Sequence, residues 1–238
     1  MGGTTNTKIL FIIPAFNEEE SILKTVQSIK NYNPKWDVLV INDGSTDQTQ
    51  NICETNQIPV INLIMNLGIG GAVQTGYIYA QRNHYDIALQ FDGDGQHDIA
   101  SADDLIKPLL KGEADFVIGS RFIDKHRDNF KSSYLRRIGI RLISATIWLL
   151  SGRPVLDPTS GYRAANKNVI DFFADYYPSE FPEPESTLLL NKKKFKVKEI
   201  FAKMVERQNG TSSIHTWKSA YYMANVLFSL FIASLRKV

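Results

Sequence analysis

Four times before Asp92 the chain runs apolar for about six residues and then stops at a cluster of Asn, Asp, Glu and Gly. KILFIIPAF (8–16) ends in NEEE, WDVLVIN (36–42) in NDGSTD, IPVINLI (58–64) in NLGIGG and DIALQF (86–91) in DGDGQHD. The segments between them carry helical signals. NEEESILKTVQSIK (17–30) has Asn17 as cap and three glutamates in its first turn, and GIGGAVQTGYIYAQRN (68–83) has small residues on its early face. DGSTDQTQNICETN reads as a turn and helix, and ASADDLIKPLLKG followed by ADFVIGS (114–120) adds a helix and a fifth strand. Alternation of this kind gives a parallel sheet covered by helices on both sides. Ligands in such sheets sit at the carboxyl ends of the strands, and the polar clusters fall there.

The fourth cluster has the most specific chemistry. Asp92 and Asp94 lie two apart at a strand end, where glycines let the backbone turn so that both carboxylates approach one point. Each would raise the other's pKa unless a cation neutralised them. A hard, oxygen-preferring Mg²⁺ or Mn²⁺ that keeps some of its water and bridges to substrate phosphates suits the pair. His97, in the same turn, reads as a surface partner of the aspartates. GIGG resembles part of a dinucleotide fingerprint, but Val73 stands where the third glycine belongs and the motif follows the third strand, which argues against a dehydrogenase.

With 238 residues, 43% hydrophobic and 22% charged, the chain can bury one sizeable core. The single cysteine, Cys53, forms no internal disulfide, and no leader precedes Lys8, so the cytosol is the expected compartment. Residues 1–7 are set outside the domain. The net charge of +2 conceals an asymmetry: 7 Lys and Arg against 15 Asp and Glu through Ser120, then 20 against 10 from Arg121 onward. The basic half is expected to face something anionic, phosphates or a membrane surface. In that half 132–152 reads as a helix with Arg137 and Arg141 on one face and an apolar stripe of Ile138, Leu142, Ala145 and Leu149 on the other. Pro158 and Gly161 force a turn in DPTSGYR, 196–205 reads as a strand, and the apolar tail from Ala220 to Leu235 is interrupted by Asn225 and Ser229. That tail is shorter than a membrane span needs, so an interfacial or subunit-pairing helix over 214–238 is expected.

Six stretches in order, IIPAFNEEESI, VINDGSTDQT, NLGIGGAVQTG, FDGDGQHD, VIGSRF and DPTSGYRAANK, resemble the inverting family 2 glycosyltransferases, nearest the branch of dolichol-phosphate mannose synthases and bacterial polyprenyl-phosphate sugar transferases. The resemblance runs from Lys8 to Ser213. It implies a GT-A fold, with a Rossmann-like nucleotide-binding half and an acceptor-binding half in one domain over 8–213. It further implies that Pro14, Ala15 and Glu18 border the nucleoside, that Asp43 bonds the base, and that Asp92 and Asp94 are the family's D-x-D. Asp94 would be the main metal ligand, Asp92 would serve ribose or metal, and Gln96 would assist at the metal. Asp157 is the first candidate for a catalytic carboxylate, with Glu183 and Glu185 as second candidates. Arg121, Arg137, Arg141, Arg163 and Arg207 are candidates for the diphosphate or the acceptor.

The expected activity is metal-dependent transfer of a hexose from a nucleoside diphosphate sugar to a lipid-linked acceptor. The acceptor group is either a polyprenyl phosphate, already an anion near neutrality, or a sugar hydroxyl that needs a base. The expected partners are the donor, the lipid-linked acceptor, a membrane surface or membrane protein and a second copy of the chain, with no nucleic acid. The expected location is peripheral, at the inner face of the membrane. A non-catalytic nucleotide-sugar-binding subunit is the alternative from another class.

Overall fold

Most strands form where the sequence is apolar on both faces, as a sheet sandwiched between helices requires. The computed structural model describes residues 7–123, 134–203 and 216–236. Its strands are β1 (Ile9–Ala15), β2 (Asp37–Asn42), β3 (Val60–Asn62), β4 (Ile87–Gln90), β5 (Phe116–Ser120), β6 (Arg163–Asn166) and β7 (Val197–Phe201), and they lie in the order β3-β2-β1-β4-β6-β5-β7. All pairings are parallel except those of β6, which runs against both β4 and β5. Residues of β1 alternate between two cores. Phe11 and Ile13 join Val26 of α1 (Ile22–Tyr32) and Leu105 of α4 (Ala102–Leu110) on one face. Leu10 and Ile12 join Tyr77 of α3 (Gly68–Arg82) and Phe173 of α6 (Lys167–Asp175) on the other. The small residues of α3 are needed for its close approach: a Cβ on Gly76 would lie 2.2 Å from Ile12 Cγ2, and one on Gly70 would lie 2.4 Å from the Pro178 carbonyl oxygen.

Four features depart from the expectation. The first helix starts at Ile22, with Ser21 before it, so Asn17 is no cap and Glu18 to Glu20 are not its first turn. Asn17 instead adopts φ 57, its Oδ1 accepts from Thr46 N at 2.8 Å, and Glu19 Oε2 accepts from Gln48 N at 2.9 Å. The polar segment after β1 is thereby bonded to the loop after β2. The second departure is β6, a four-residue strand too short to show a period, inserted between β4 and β5.

Third, α5 (Tyr134–Ser151) buries Ile140, Ile143 and Ile147, whereas Ile138, Leu142 and Leu149 of the expected buried stripe are exposed, Leu149 by 83%. Both faces of this helix are apolar, so periodicity could not decide which one packs. Fourth, the tail helix, α8 (Thr216–Leu235), packs within the chain, with α5 and α7 (Pro182–Lys192) around a small core of Ile143, Ile147, Leu188, Val226 and Leu230. Among the described residues no helix is long and apolar enough to cross a membrane.

The two faces of α5 predict opposite responses to truncation. Ile147→Ala should cost about 2–4 kcal/mol through lost burial and a cavity, and Leu149→Ala should change stability by less than about 0.5 kcal/mol. Urea unfolding of both variants checks this, and a larger loss from Leu149 would restore the originally expected face.

Candidate functional site

The carboxyl ends of β1, β2 and β4, the start of α3 and the turn that leads into β6 enclose an open cleft of about 460 Å³. It straddles β1 and β4, where the direction of strand succession reverses, the usual ligand position in such sheets. Pro14, Ala15 and Glu18 line it from β1, Asp43 from β2, Asp92 and Asp94 from β4, Thr159 and Gly161 from the turn, and Glu183 from α7. Five of the described lining residues are carboxylates, Glu18, Asp43, Asp92, Asp94 and Glu183, and none is Lys or Arg. An anion could enter such a cleft only together with a cation.

Three of the carboxylates, Asp43, Glu18 and Asp94, are held by hydrogen bonds from the chain around them. Asp43 is nearly buried and accepts from Leu67 N at 2.7 Å, which joins the loop after β2 to the one before α3. Glu18 donates its backbone N–H to Thr49 Oγ1 at 2.9 Å, and its Oε2 accepts from Ser21 Oγ at 2.6 Å. Asp94 accepts from Gln96 N at 3.0 Å in a tight turn, so Gln96 braces the pair through its backbone and is not among the lining residues. Thr25 Oγ1 donates to the Gly93 carbonyl at 3.1 Å and fixes the turn to α1. Gly161 is needed here, because a Cβ on it would lie 2.8 Å from Asp92 Oδ2.

Burial first, and then the Asp94 charge, push the pKa of Asp92 up to about 7. A cation between the two carboxylates would relieve that repulsion. Among the described residues no group of three or more His, Cys, Asp or Glu is placed to hold a metal ion. Asp92 and Asp94 form no closed protein cage, and an octahedral Mg²⁺ or Mn²⁺ held by them would take its remaining ligands from water and a diphosphate.

His97, expected at the surface, is buried. Its ring stacks on Tyr162 with centroids 4.6 Å apart, and its Nδ1 accepts from Asp92 N at 3.1 Å. Nε2 therefore carries the proton, 3.3 Å from Asp92 Oδ2. Burial holds its pKa down to about 4, so it is neutral near pH 7 and supports the backbone of the turn.

The second-half candidates separate. Asp157 has no exposed surface: Oδ2 accepts from Arg121 N (3.1 Å) and Nε (2.7 Å), and Oδ1 accepts from Arg121 Nη2 (2.7 Å) and Thr159 Oγ1 (3.2 Å). A carboxylate so satisfied is not placed to take a proton, so the expected base is an anchor for Arg121 and for the turn. Glu199 of β7 secures the same turn from outside, accepting from Leu156 N and Asp157 N, each at 2.7 Å. Arg163 is also fully buried, donating to Pro158 O (2.8 Å), Ser160 O (2.6 Å) and Ser186 Oγ (2.8 Å), so it presents no surface to an acceptor. Glu185 is buried and accepts from Ser229 Oγ at 2.5 Å, whereas Glu183 opens on the cleft. Arg137 and Arg141 lie on the exposed side of α5, away from the cleft lining, and Arg207 lies outside the described residues. Phe16, Asn66 and Ile69 also line the cleft, and the sequence marked them only as strand-end neighbours.

Residues 10–173 match the family model of Glycosyl transferase family 2. The UDP-N-acetylglucosamine–dolichyl-phosphate N-acetylglucosaminyltransferase of Methanococcus voltae is 31% identical over 207 residues, covering 79% of this chain and 81% of that protein. The undecaprenyl-phosphate mannosyltransferase of Micrococcus luteus is 31% identical over 163 residues, covering 66% of this chain and 65% of that one. Glucosyl-3-phosphoglycerate synthase of Mycobacterium tuberculosis, solved with Mn²⁺, UDP and phosphoglyceric acid, superposes with a TM-score of 0.72 at 17% identity, over 98% of this chain and 80% of that one. This last likeness shows that the fold is GT-A.

The raised pKa of Asp92 sets a pH dependence. The folded chain holds this proton up to about pH 7 while an unfolded aspartate releases it near about pH 4, so the residue makes stability fall as pH rises through that window. His97, with its pKa lowered, acts in the opposite sense up to its unfolded value of about 6.5. Asp92→Asn should therefore melt above wild type at about pH 8 in EDTA, with the advantage shrinking steadily toward about pH 4. Thermal melts across this range check it; a gap independent of pH would mean that Asp92 titrates as a solvated carboxylate.

Proposed function

Since this chain belongs to Glycosyl transferase family 2, we propose that it moves a hexose, with inversion at the anomeric carbon, from a nucleoside diphosphate sugar to the phosphate of a membrane polyprenol. The observation that carries this reading is the cleft of five carboxylates without a described basic lining residue, centred on Asp92 and Asp94. Mg²⁺ or Mn²⁺, when bound with the diphosphate, would supply the positive charge on which the leaving group departs. Asp43 and Glu18 accept from the base and the ribose, and Thr159 and Gly161 border the opposite wall. Two relatives are named for transfer to dolichyl phosphate and undecaprenyl phosphate. A phosphate acceptor needs no strong base, because its second pKa is about 6. The engagement of Asp157 with Arg121 fits that requirement. If the acceptor is a sugar hydroxyl, Glu183 is the carboxylate in the cleft available to take its proton.

The acceptor's lipid implies a membrane surface. The outer faces of the neighbouring helices α5 and α8 expose Leu142, Trp148 and Leu149, and Tyr221, Phe228 and Phe231, with Arg137 and Arg141 beside them on α5. Apolar side chains mixed with arginines favour an interfacial position on anionic lipid.

Two measurements test the reading. Transfer of labelled hexose to a short polyprenyl phosphate and to a lipid-linked disaccharide, with Mn²⁺ or EDTA, should give product on the phosphate only and only with metal. Asp94→Asn should reduce that transfer by about 10²-fold or more. Product confined to the disaccharide would exchange the acceptor class, and product undiminished in EDTA would remove the metal. Separately, Leu149→Ser with Phe228→Ser and Phe231→Ser should weaken co-sedimentation with anionic vesicles by about tenfold while nucleotide binding persists. Unchanged sedimentation would show that these faces do not meet lipid.

A further inference from the structure

Resting on the glycosyltransferase reading above, we propose that Glu183 reads the hexose half of the donor by accepting its hydroxyl protons, with Gln90 behind it as the positioning residue. Of the three carboxylates that the second half of the chain offered for chemistry, two are engaged elsewhere: Asp157 with Arg121, and Glu185 with Ser229 of α8. Glu183 faces the cleft and shares it with Asp92, whose charge reaches it. Those surroundings limit what it can bind. A phosphate beside Glu183 would meet its charge and those of the neighbouring aspartates, and an unsubstituted hexose carries no basic group. Asp43 and Glu18 lie at the ends of β2 and β1, and the metal pair lies at the end of β4. The uncharged, hydroxyl-rich hexose is the part of the donor left for a carboxylate contributed by α7.

Gln90 supplies the second observation. It has no exposed surface, sits opposite Arg163 in the β4–β6 pairing, and its Nε2 has no hydrogen-bond partner among the described residues. Its Oε1 lies 3.5 Å from Tyr177 Oη. Burial raises the pKa of both Asp92 and Glu183, and the Gln90 amide is among the groups that act against that rise. An amide N–H buried without a partner costs about 1–3 kcal/mol, a penalty removed if a carboxylate turns onto it. Sugar hydroxyls drawing on one oxygen of Glu183 would leave the other for Gln90. In this arrangement Gln90 orients Glu183 and does not itself touch the sugar.

The test compares wild type with Glu183→Gln, Glu183→Ala and Gln90→Leu. Calorimetric titration with Mn²⁺ and UDP or GDP, then with their hexose conjugates, identifies the conjugate that wild type binds best, and the singly deoxygenated forms of that hexose follow. The expected result is nucleoside diphosphate affinity within about twofold of wild type in both Glu183 variants, with conjugate affinity lower by about 10- to 100-fold, the range for hydrogen bonds to a charged group. One deoxy sugar should weaken wild type to a similar degree and leave Glu183→Ala unaffected. Gln90→Leu should shift deoxy sensitivity in the same direction by less, with conjugate affinity compared after normalising to its own nucleoside diphosphate affinity. Equal losses for nucleotide and conjugate would overturn the proposal, as would unchanged conjugate affinity with lost transfer, which would assign Glu183 to the acceptor. The near-isosteric Gln variant decides the matter if Glu183→Ala does not fold. Failure of wild type to bind any of these conjugates in the presence of Mn²⁺ would instead refute the donor reading itself, and this inference with it.

Discussion

A guanidinium without exposed surface joins the two halves of this molecule. Arg163 opens β6, the strand that runs against β4, and its three hydrogen bonds hold the 158–160 turn and the first part of α7. All three acceptors are neutral, and a buried charge with neutral partners alone is costly. Burial raises the pKa of Asp92 and of Glu183 in the cleft above it, and the Arg163 charge acts against that rise in both. One residue thus positions the wall of the cleft opposite β1 and also supplies a fixed positive charge beneath it. Its role explains why a short antiparallel strand interrupts an otherwise parallel sheet: only a strand entering from the carboxyl edge of β4 brings its preceding turn to that edge.

The charge asymmetry of the sequence is sorted in space. The acidic first half concentrates carboxylates at the strand ends, and the excess base of the second half is largely elsewhere. Among its described members, Arg121 is paired with Asp157, Arg163 is buried, and Arg137, Arg141 and Lys192 to Lys194 are exposed outside the cleft. The cleft consequently needs a cation for an anionic ligand, while the arginines of α5 stand beside exposed apolar side chains. On the proposed function, the first surface would take a diphosphate together with its cation and the second would face the membrane that carries the acceptor.

Helix α7 connects them. Successive residues on a helix point about 100° apart, so its first turn addresses three neighbours at once. Glu183 faces the cleft, Glu185 bonds Ser229 of α8, and Ser186 bonds Arg163. The remainder of the helix is buried nearly all round, which accounts for its lack of an amphipathic pattern. The polar interruption at Ser229 in the apolar tail is likewise explained: it is a partner for Glu185 and not a failed membrane span.

The sequence by itself determined the elements whose cause is local. Apolar runs, helix periodicity and the Asp-Gly turns located the strands of the first half, the carboxyl-end cleft and the Asp92–Asp94 pair, because each depends on residues within a few positions of one another. It also carried the family, through six motifs in order, and the fold that the solved structures share. Tertiary structure decided whatever depended on distant partners. The loop after β2 delayed the first helix, α7 and α8 chose the buried face of α5, and Arg121 turned Asp157 from a candidate base into an anchor. Burial also fixed His97 and Arg163 in supporting roles and left Glu183 facing the cleft. A carboxylate or guanidinium has the same local signature whether it meets water, a ligand or a buried counter-charge; only the arrangement of the folded chain determines which of these it meets.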